Sequence, residues 1–292
     1  MKHGVSGLIT DRGLDMVGYA RLIEDLGFES LFMGEHTVIP VQVKTSHPFG
    51  GGVPDGYERM PSPWICLALA AAVTKRIRLG TDVALIPERE PIGLAKDIAT
   101  LDFYSGGRLL IGVGAGWLRE ESEVMRVNFR RRWDIMRDYI QAMKELWTKD
   151  EAAYNGEFIS FPPVLCYPKP AQKPHPPILI GAGGLGHKTE RALRNTVAFA
   201  DGWMAVAVTP EEMKSHLATL KQLCSEAGRD FSNLEISVVT DFRMALDKPN
   251  VGDLIRRYED CGVHRIIWAT DQLLTAEPYA DRMKRIANKV LN

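Results

Sequence analysis

Glu35 and His36 close an apolar run, Ser30 to Gly34, and an imidazole is suited to moving a proton near neutral pH. A histidine held only by structural hydrogen bonds is the competing reading. Asp82 interrupts IRLGTDVALI (77–86), and an acid inside so apolar a run must be paired or must face an opening. IGAGGLGHKTERAL (180–193) reads as a strand, a glycine-rich turn and a helix, an arrangement in which backbone N–H groups and a helix N-terminus favour an anion. Gly181, Gly183 and Gly186 match G-x-G-x-x-G, but Asp201, the acid 20 residues beyond Gly181, precedes its strand instead of ending it. A phosphate cradle is therefore preferred to a dinucleotide fingerprint, with a tight ligand-free turn as the alternative. Trp117 ends GVGAGW (112–117) and would floor a cofactor pocket or cover a rim, whereas Trp203 and Trp268 read as packing.

These residues need a scaffold that brings strand ends together. Apolar runs at 3–9, 30–36, 77–86, 108–114, 176–182, 202–208, 234–240 and 263–270 read as strands. Helical stretches follow at 14–27, 62–74, 91–104, 120–147, 188–198, 210–227, 251–261 and 278–291. Strict alternation implies parallel strands with helical crossovers, and eight units imply an α/β fold of the (β/α)8 TIM-barrel type. An open doubly wound sheet is the rival. Two insertions break the repeat: 37–61, rich in Gly, Pro and His, and 150–175, with a possible hairpin AYNGEFISF. Without them about 30 residues remain per unit, the size of one βα repeat. No linker divides the chain, so 1–292 reads as one barrel domain.

In such barrels the active site lies where the strands end. The ends here are Ser6-Gly7, Glu35-His36, Asp82, Gly114 to Trp117, Gly181 to Gly184, Trp203, Asp241 and Trp268. No lysine stands among them, which disfavours a Schiff-base aldolase, and no metal-ligand spacing appears. With 36 basic and 37 acidic side chains the net charge is −1, which argues against nucleic-acid partners and a polybasic membrane surface. The longest apolar run, Ile65 to Val73, is far short of a membrane helix, and the N-terminal ten residues lack a signal-peptide apolar region. Cys66, Cys166, Cys224 and Cys261 form no C-x-x-C and suit a reducing compartment, hence a cytoplasmic protein.

The segment LGTDVALIPEREPIGLAKDIATLDFYSGGRLLIGVGAGW (79–117) resembles the luciferase-like monooxygenase superfamily, especially its members that use the deazaflavin coenzyme F420. LFMGEH, the P-x-x-P-W-I-C-L-A-L-A-A-A-V-T segment, Arg131-Arg132-Trp133, KELW (144–147) and ILIGAGG through DGW (178–203) fall in the family's order, so the resemblance spans nearly the whole chain. It implies a TIM barrel with insertions and a coenzyme F420 (or, in the alternative, FMN) at the C-terminal mouth. It implies that Gly181, Ala182, Gly183 and Gly184 hold the phosphate, and that a non-proline cis peptide at Asp82-Val83 backs the ring. His36 matches a histidine beside the ring's reactive edge, and Glu35 stands where Asp is common. Ser6, Gly114, Gly116 and Trp117 complete the expected cofactor site. Trp117 stands where the family's sugar-phosphate dehydrogenases carry a catalytic glutamate, which argues against that substrate.

The expectation is an oxidoreductase acting on a small organic substrate, with His36 and Glu35 as catalytic residues, Glu35 positioning His36 or touching the ring edge. The 37–61 loop would cover the mouth. An FMN-dependent monooxygenase, a non-catalytic flavin-binding barrel and a phosphate-binding isomerase are the rivals. A homodimer through outer helices is expected, with 62–74 as the candidate face.

Overall fold

The structure, a computed structural model, describes residues 1–11, 15–183, 187–241, 251–271 and 279–291. Each crossover follows the order strand, helix, strand. The barrel staves are β1 (Lys2–Leu8), β2 (Ser30–Met33), β3 (Arg78–Thr81) with β4 (Ala84–Leu85), β5 (Leu109–Gly114), β8 (Ile178–Gly183), β9 (Gly202–Val206), β10 (Glu235–Asp241) and β11 (Arg265–Asp271). Around them run α1 (Met16–Asp25), α2 (Pro63–Val73), α3 (Pro91–Ser105), α4 (Arg119–Val124), α5 (Arg132–Thr148), α6 (His187–Phe199), α7 (Pro210–Glu226), α8 (Val251–Cys261) and α9 (Tyr279–Val290). Every pairing in the main sheet is parallel, and β3 pairs with β5 at Leu79–Leu109 and Gly80–Leu110 to close the ring. The fold is a closed eight-stave parallel barrel, the expected (β/α)8 TIM barrel.

The third stave departs from the expectation of one continuous strand. It breaks after Thr81 and resumes at Ala84, now paired with Val113. The partner register slips by one residue across the break, so the backbone bulges at Asp82-Val83, and that peptide is cis. The second insertion holds the expected hairpin, β6 (Glu151–Asn155) antiparallel to β7 (Ser160–Leu165).

The barrel interior is a plug of Phe32, Leu110, Leu179, Met204, Val239 and Ile267, one side chain from each of six staves. Outside the staves a second, larger apolar layer packs the helices onto the barrel. Arg265, fully buried, donates to Glu29 at 2.9 and 3.0 Å and also to Glu235. These groups sit where β2, β10 and β11 begin, at the end of the barrel opposite the mouth. A buried guanidinium needs such partners, because its desolvation would otherwise dominate.

Candidate active site

A cavity of about 250 Å³ opens at the C-terminal ends of the staves. Its floor is the bulge of the third stave. Val83 wedges between β5 and β8, and glycines make room for it. A Cβ added to Gly114 would lie 2.5 Å from one Val83 methyl, and one added to Gly181 would lie 2.2 Å from the other. Asp82 lines the same floor, half-buried. Burial pushes its carboxyl up to about 6, against the opposing effect of a hydrogen bond from Ser6. Ser6 thus meets the site through Asp82.

His36 forms one wall. Its Nδ1 lies 2.5 Å from Glu121 Oε2, and Glu121 Oε1 accepts the backbone N–H groups of Thr37 at 2.7 Å and Val38 at 3.3 Å. Both side chains of the pair are nearly inaccessible. With Nδ1 donating to a carboxylate, the imidazole keeps Nε2 for the cavity. Tyr57 packs 5.0 Å from the His36 ring, and Trp117 meets its edge at 5.8 Å. Trp117 is also 5.0 Å, edge-on, from His47, whose imidazole burial and the neighbouring His36 hold below its usual range. The 37–61 insertion therefore folds over the mouth and supplies an aromatic wall with Trp117. Glu120 fastens it further along, accepting from Lys44 N at 2.8 Å and Thr45 N at 3.1 Å.

Glu35 does not position His36. Its buried carboxylate accepts Leu85 N–H at 2.7 Å and Arg89 Nε at 2.9 Å, and it is also bonded to Arg89 Nη2. The correction has a simple cause: His36 and Glu35 are consecutive, so their side chains diverge, and each finds the partner on its own side. Glu35 ties the end of β2 to β4 and the turn beyond it. His36 takes its carboxylate from α4.

Gly181, Ala182 and Gly183 line the cavity, whereas Gly184 lies outside the described residues. The glycines at 181 and 183 have packing reasons of their own. A Cβ on Gly183 would lie 1.8 Å from the Val206 carbonyl oxygen of β9. Gly116 adopts φ 81°, a conformation that favours glycine, and a Cβ there would lie 3.4 Å from Glu88 Oε1. Trp203 and Trp268 are fully buried packing residues, as expected; their indole N–H groups reach Ala182 O at 3.2 Å and His3 Nδ1 at 3.2 Å.

Sequence reasoning missed Glu121, His47, Tyr57 and Arg132. Arg132 lines the cavity, donates to Gly116 O at 3.0 Å and Phe129 O at 2.6 Å, and stacks 3.8 Å over the Phe129 ring. Burial, with repulsion from Arg191 and Arg119, brings its guanidinium down to about 10, so it is a cation at neutral pH. The signal in the sequence is the paired charge of the Arg-Arg-Trp run at 131–133. Among the described residues no group of three or more His, Cys, Asp or Glu side chains could hold a metal ion, and no helix is long and apolar enough to cross a membrane.

An uncharacterized protein of Mycobacterium tuberculosis is 39% identical over 295 residues, covering 99% of each chain. The oxygenase component of a flavin-dependent trigonelline monooxygenase of Acinetobacter baylyi is 32% identical over 171 residues, 58% of this chain and 42% of that one. An F420-dependent glucose-6-phosphate dehydrogenase of Amycolatopsis mediterranei is 29% identical over 176 residues, 58% and 48% respectively. In fold, the chain is similar to a monooxygenase of Streptomyces bottropensis (TM-score 0.73, 22% identity, 100% and 99% covered). It is equally similar to the coenzyme F420-dependent tetrahydromethanopterin reductase of Methanopyrus kandleri (TM-score 0.74, 17% identity, 100% and 99% covered). The model of the luciferase-like monooxygenase family matches residues 5–265, and the chain belongs to that family.

Proposed function

We propose that this protein is an oxidoreductase that passes hydride between coenzyme F420 and a small organic substrate at the cavity over Val83. The observation that carries the reading is the His36–Glu121 pair, a cavity-facing imidazole oriented by a nearly inaccessible carboxylate. Hydride transfer between carbon centres that interconverts an alcohol and a carbonyl also moves one proton at the substrate oxygen. A backed imidazole suits that step. The residues present fit a flat, anionic cofactor. Val83 offers an apolar floor between two glycines, the Gly181–Gly183 backbone and Arg132 line one cavity, and Trp117 and Tyr57 wall it.

When bound, the deazaflavin supplies a two-electron hydride donor or acceptor. His36 Nε2 takes the proton from a substrate hydroxyl on oxidation, or returns it to a carbonyl oxygen on reduction. Glu121 fixes the tautomer that makes this possible and stabilises the imidazolium that forms. Glu35 is a positioning residue through Arg89 and Leu85. Asp82, seated by Ser6, lines the cavity that would receive the ring, and Gly114, Gly116 and Trp117 shape it. The insertion excludes water from the reacting atoms.

The second reading, an FMN-dependent monooxygenase, draws on the trigonelline monooxygenase relative. Equilibrium titration with coenzyme F420 and with FMN separates the two. Tighter binding of coenzyme F420, with no oxygen consumption by the reduced complex, supports the proposal. Strong FMN binding with oxygen uptake overturns it.

All four cysteines are free thiols, which suits the cytoplasm as the site of action. We also read α2 and α3 as a homodimer face, since Ile65, Leu69, Phe103 and Tyr104 are exposed there. A monomer by light scattering at micromolar concentration would refute that.

A further inference from the structure

Around the turn that follows β4, three carboxyl groups converge from three elements, and Gly116 stands between one of them, Glu88, and the cavity. Glu35 follows β2, Glu88 follows β4, and Glu121 lies in α4. Glu35 has Arg89 as its cation, and Glu121 has His36. Glu88 has neither. It is 6% exposed, its Oε1 accepts from Ser122 Oγ at 2.9 Å, and its Oε2 is buried without a partner. A carboxylate in that position lacks the donors that ionisation requires, whereas a carboxylic acid places a proton on the unpartnered oxygen. Burial and the charge of Glu121 accordingly push Glu88 up to about 8; Glu35 pushes the same way, and Ser122 and Arg89 oppose. From α5, which packs on the same turn, Tyr139 faces the charge of the adjacent Glu90. Two further titratable side chains stand near His36: Tyr57, its ring 5.0 Å from the imidazole, and His47, held below its usual range by burial and by His36.

We propose that Glu88 is a positioning residue for the His36–Glu121 pair: with its proton on, Glu121 is the carboxylate that answers to His36, and with its proton off, a second negative charge strengthens the imidazole's hold on a proton. The ordering follows from where the groups sit. Glu88 and Glu121 are joined through Ser122, the residue after Glu121, so the ionisation of one is felt by the other across a buried space with low dielectric. Glu88 does not touch the cavity; Gly116 lies between. The inference rests on reading His36 as the proton-transferring group, but its test observes His36 alone, with no cofactor and no turnover. Failure of the test and failure of the proposed reaction are therefore distinguishable.

The experiment is a pH titration of the ¹³C- and ¹⁵N-labelled histidine side chains of the full chain, with His36 assigned from its disappearance in His36→Gln. The wild-type His36 resonances should show a second inflection near pH 8, where Glu88 loses its proton. In Glu88→Gln, which keeps the side chain neutral at every pH, that inflection should be absent. A Glu88→Gln curve that superimposes on the wild type overturns the proposal. Ser122→Ala provides an independent measure should the first variant fail to fold. Removing the hydroxyl that favours ionised Glu88 should move the inflection to higher pH, and an unmoved midpoint overturns the proposal equally.

Discussion

Glu121→Ala is the perturbation that most directly tests how the site is held together. The carboxylate is 1% exposed and serves three donors: His36 Nδ1 at 2.5 Å, Thr37 N–H at 2.7 Å and Val38 N–H at 3.3 Å. The first two are short, charge-assisted bonds, each worth roughly 1.5–3 kcal/mol when the partner is left behind. The third is long and contributes little. Thr37 and Val38 are exposed residues, so water would re-satisfy part of what their amides lose. The expected cost is therefore about 2–4 kcal/mol, read from urea denaturation at constant slope. Glu121→Gln should cost less, about 1–2 kcal/mol. Its carbonyl can still accept from Thr37, but its amide group faces Nδ1 as a donor. The proton must then move to Nε2, and the ¹⁵N shifts of His36 should report the exchanged tautomer. A Glu121→Ala protein within 0.5 kcal/mol of wild type, with unchanged protection of the Thr37 amide against hydrogen exchange, would refute the argument.

The other expectations follow from contacts elsewhere in the barrel. Gly183→Ala places a Cβ 1.8 Å from the Val206 carbonyl, a clash with backbone that cannot rotate away, so it should destabilise by about 3 kcal/mol or more; a normal thermal midpoint would contradict the β8–β9 register. Arg265→Met removes the cation shared by Glu29 and Glu235 at the far end of the barrel. It should cost about 3–5 kcal/mol and leave cofactor affinity within a few fold, since the mouth is untouched; cofactor loss in the folded variant would sink that separation. Glu88 is raised from 4.5 to about 8, so over that window the folded state binds a proton that the unfolded state has released. Its contribution is full below the unfolded value and declines by about 1.4 kcal/mol per pH unit as pH rises toward 8. Glu88→Gln should flatten the stability–pH curve by about that slope, and parallel curves would refute it.

What the sequence made legible, and what it hid, differ by distance along the chain. Periodicity places α8 at its observed bounds, Val251–Cys261, because its apolar stripe is local. It also locates the hairpin in the second insertion. It reads the third stave as continuous, since Thr81-Asp82-Val83-Ala84 contains no breaker, and only the family likeness points to the irregular backbone at Asp82-Val83. Ser62, a residue type that commonly caps, precedes α2 but makes no side-chain cap, while Glu90 accepts from Ile92 and Gly93 N–H at the start of α3. The site partners are the least legible. Glu121 is 85 residues from His36, and an acid in the first turn of a helix reads as a complement to the helix dipole. Glu35 and Arg89 are 54 residues apart. His47 and Tyr57 lie in an insertion without periodicity, so nothing in the pattern says that they turn inward.

The arrangement links the cover of the cavity to the orientation of His36. Glu120 and Glu121 are consecutive residues of α4, yet they bind different parts of one insertion, Glu120 at Lys44 and Thr45 and Glu121 at Thr37 and Val38. Partial burial opposes ionisation of Glu120, but the hydrogen bonds from Thr45 and Lys44 win and hold its carboxyl down to about 2. The floor, by contrast, belongs to the staves: Val83 is fixed by the close approach of Gly114 and Gly181 and does not depend on the insertion. His36 stands at the junction, one residue before the insertion's first fastened amide and bonded to the same carboxylate. A displacement of residues 37–45 large enough to break the Thr37 bond therefore also disturbs the group that orients the imidazole. The fastening of the cover and the orientation of the His36 imidazole therefore depend on the same carboxylate, so neither can be lost without disturbing the other.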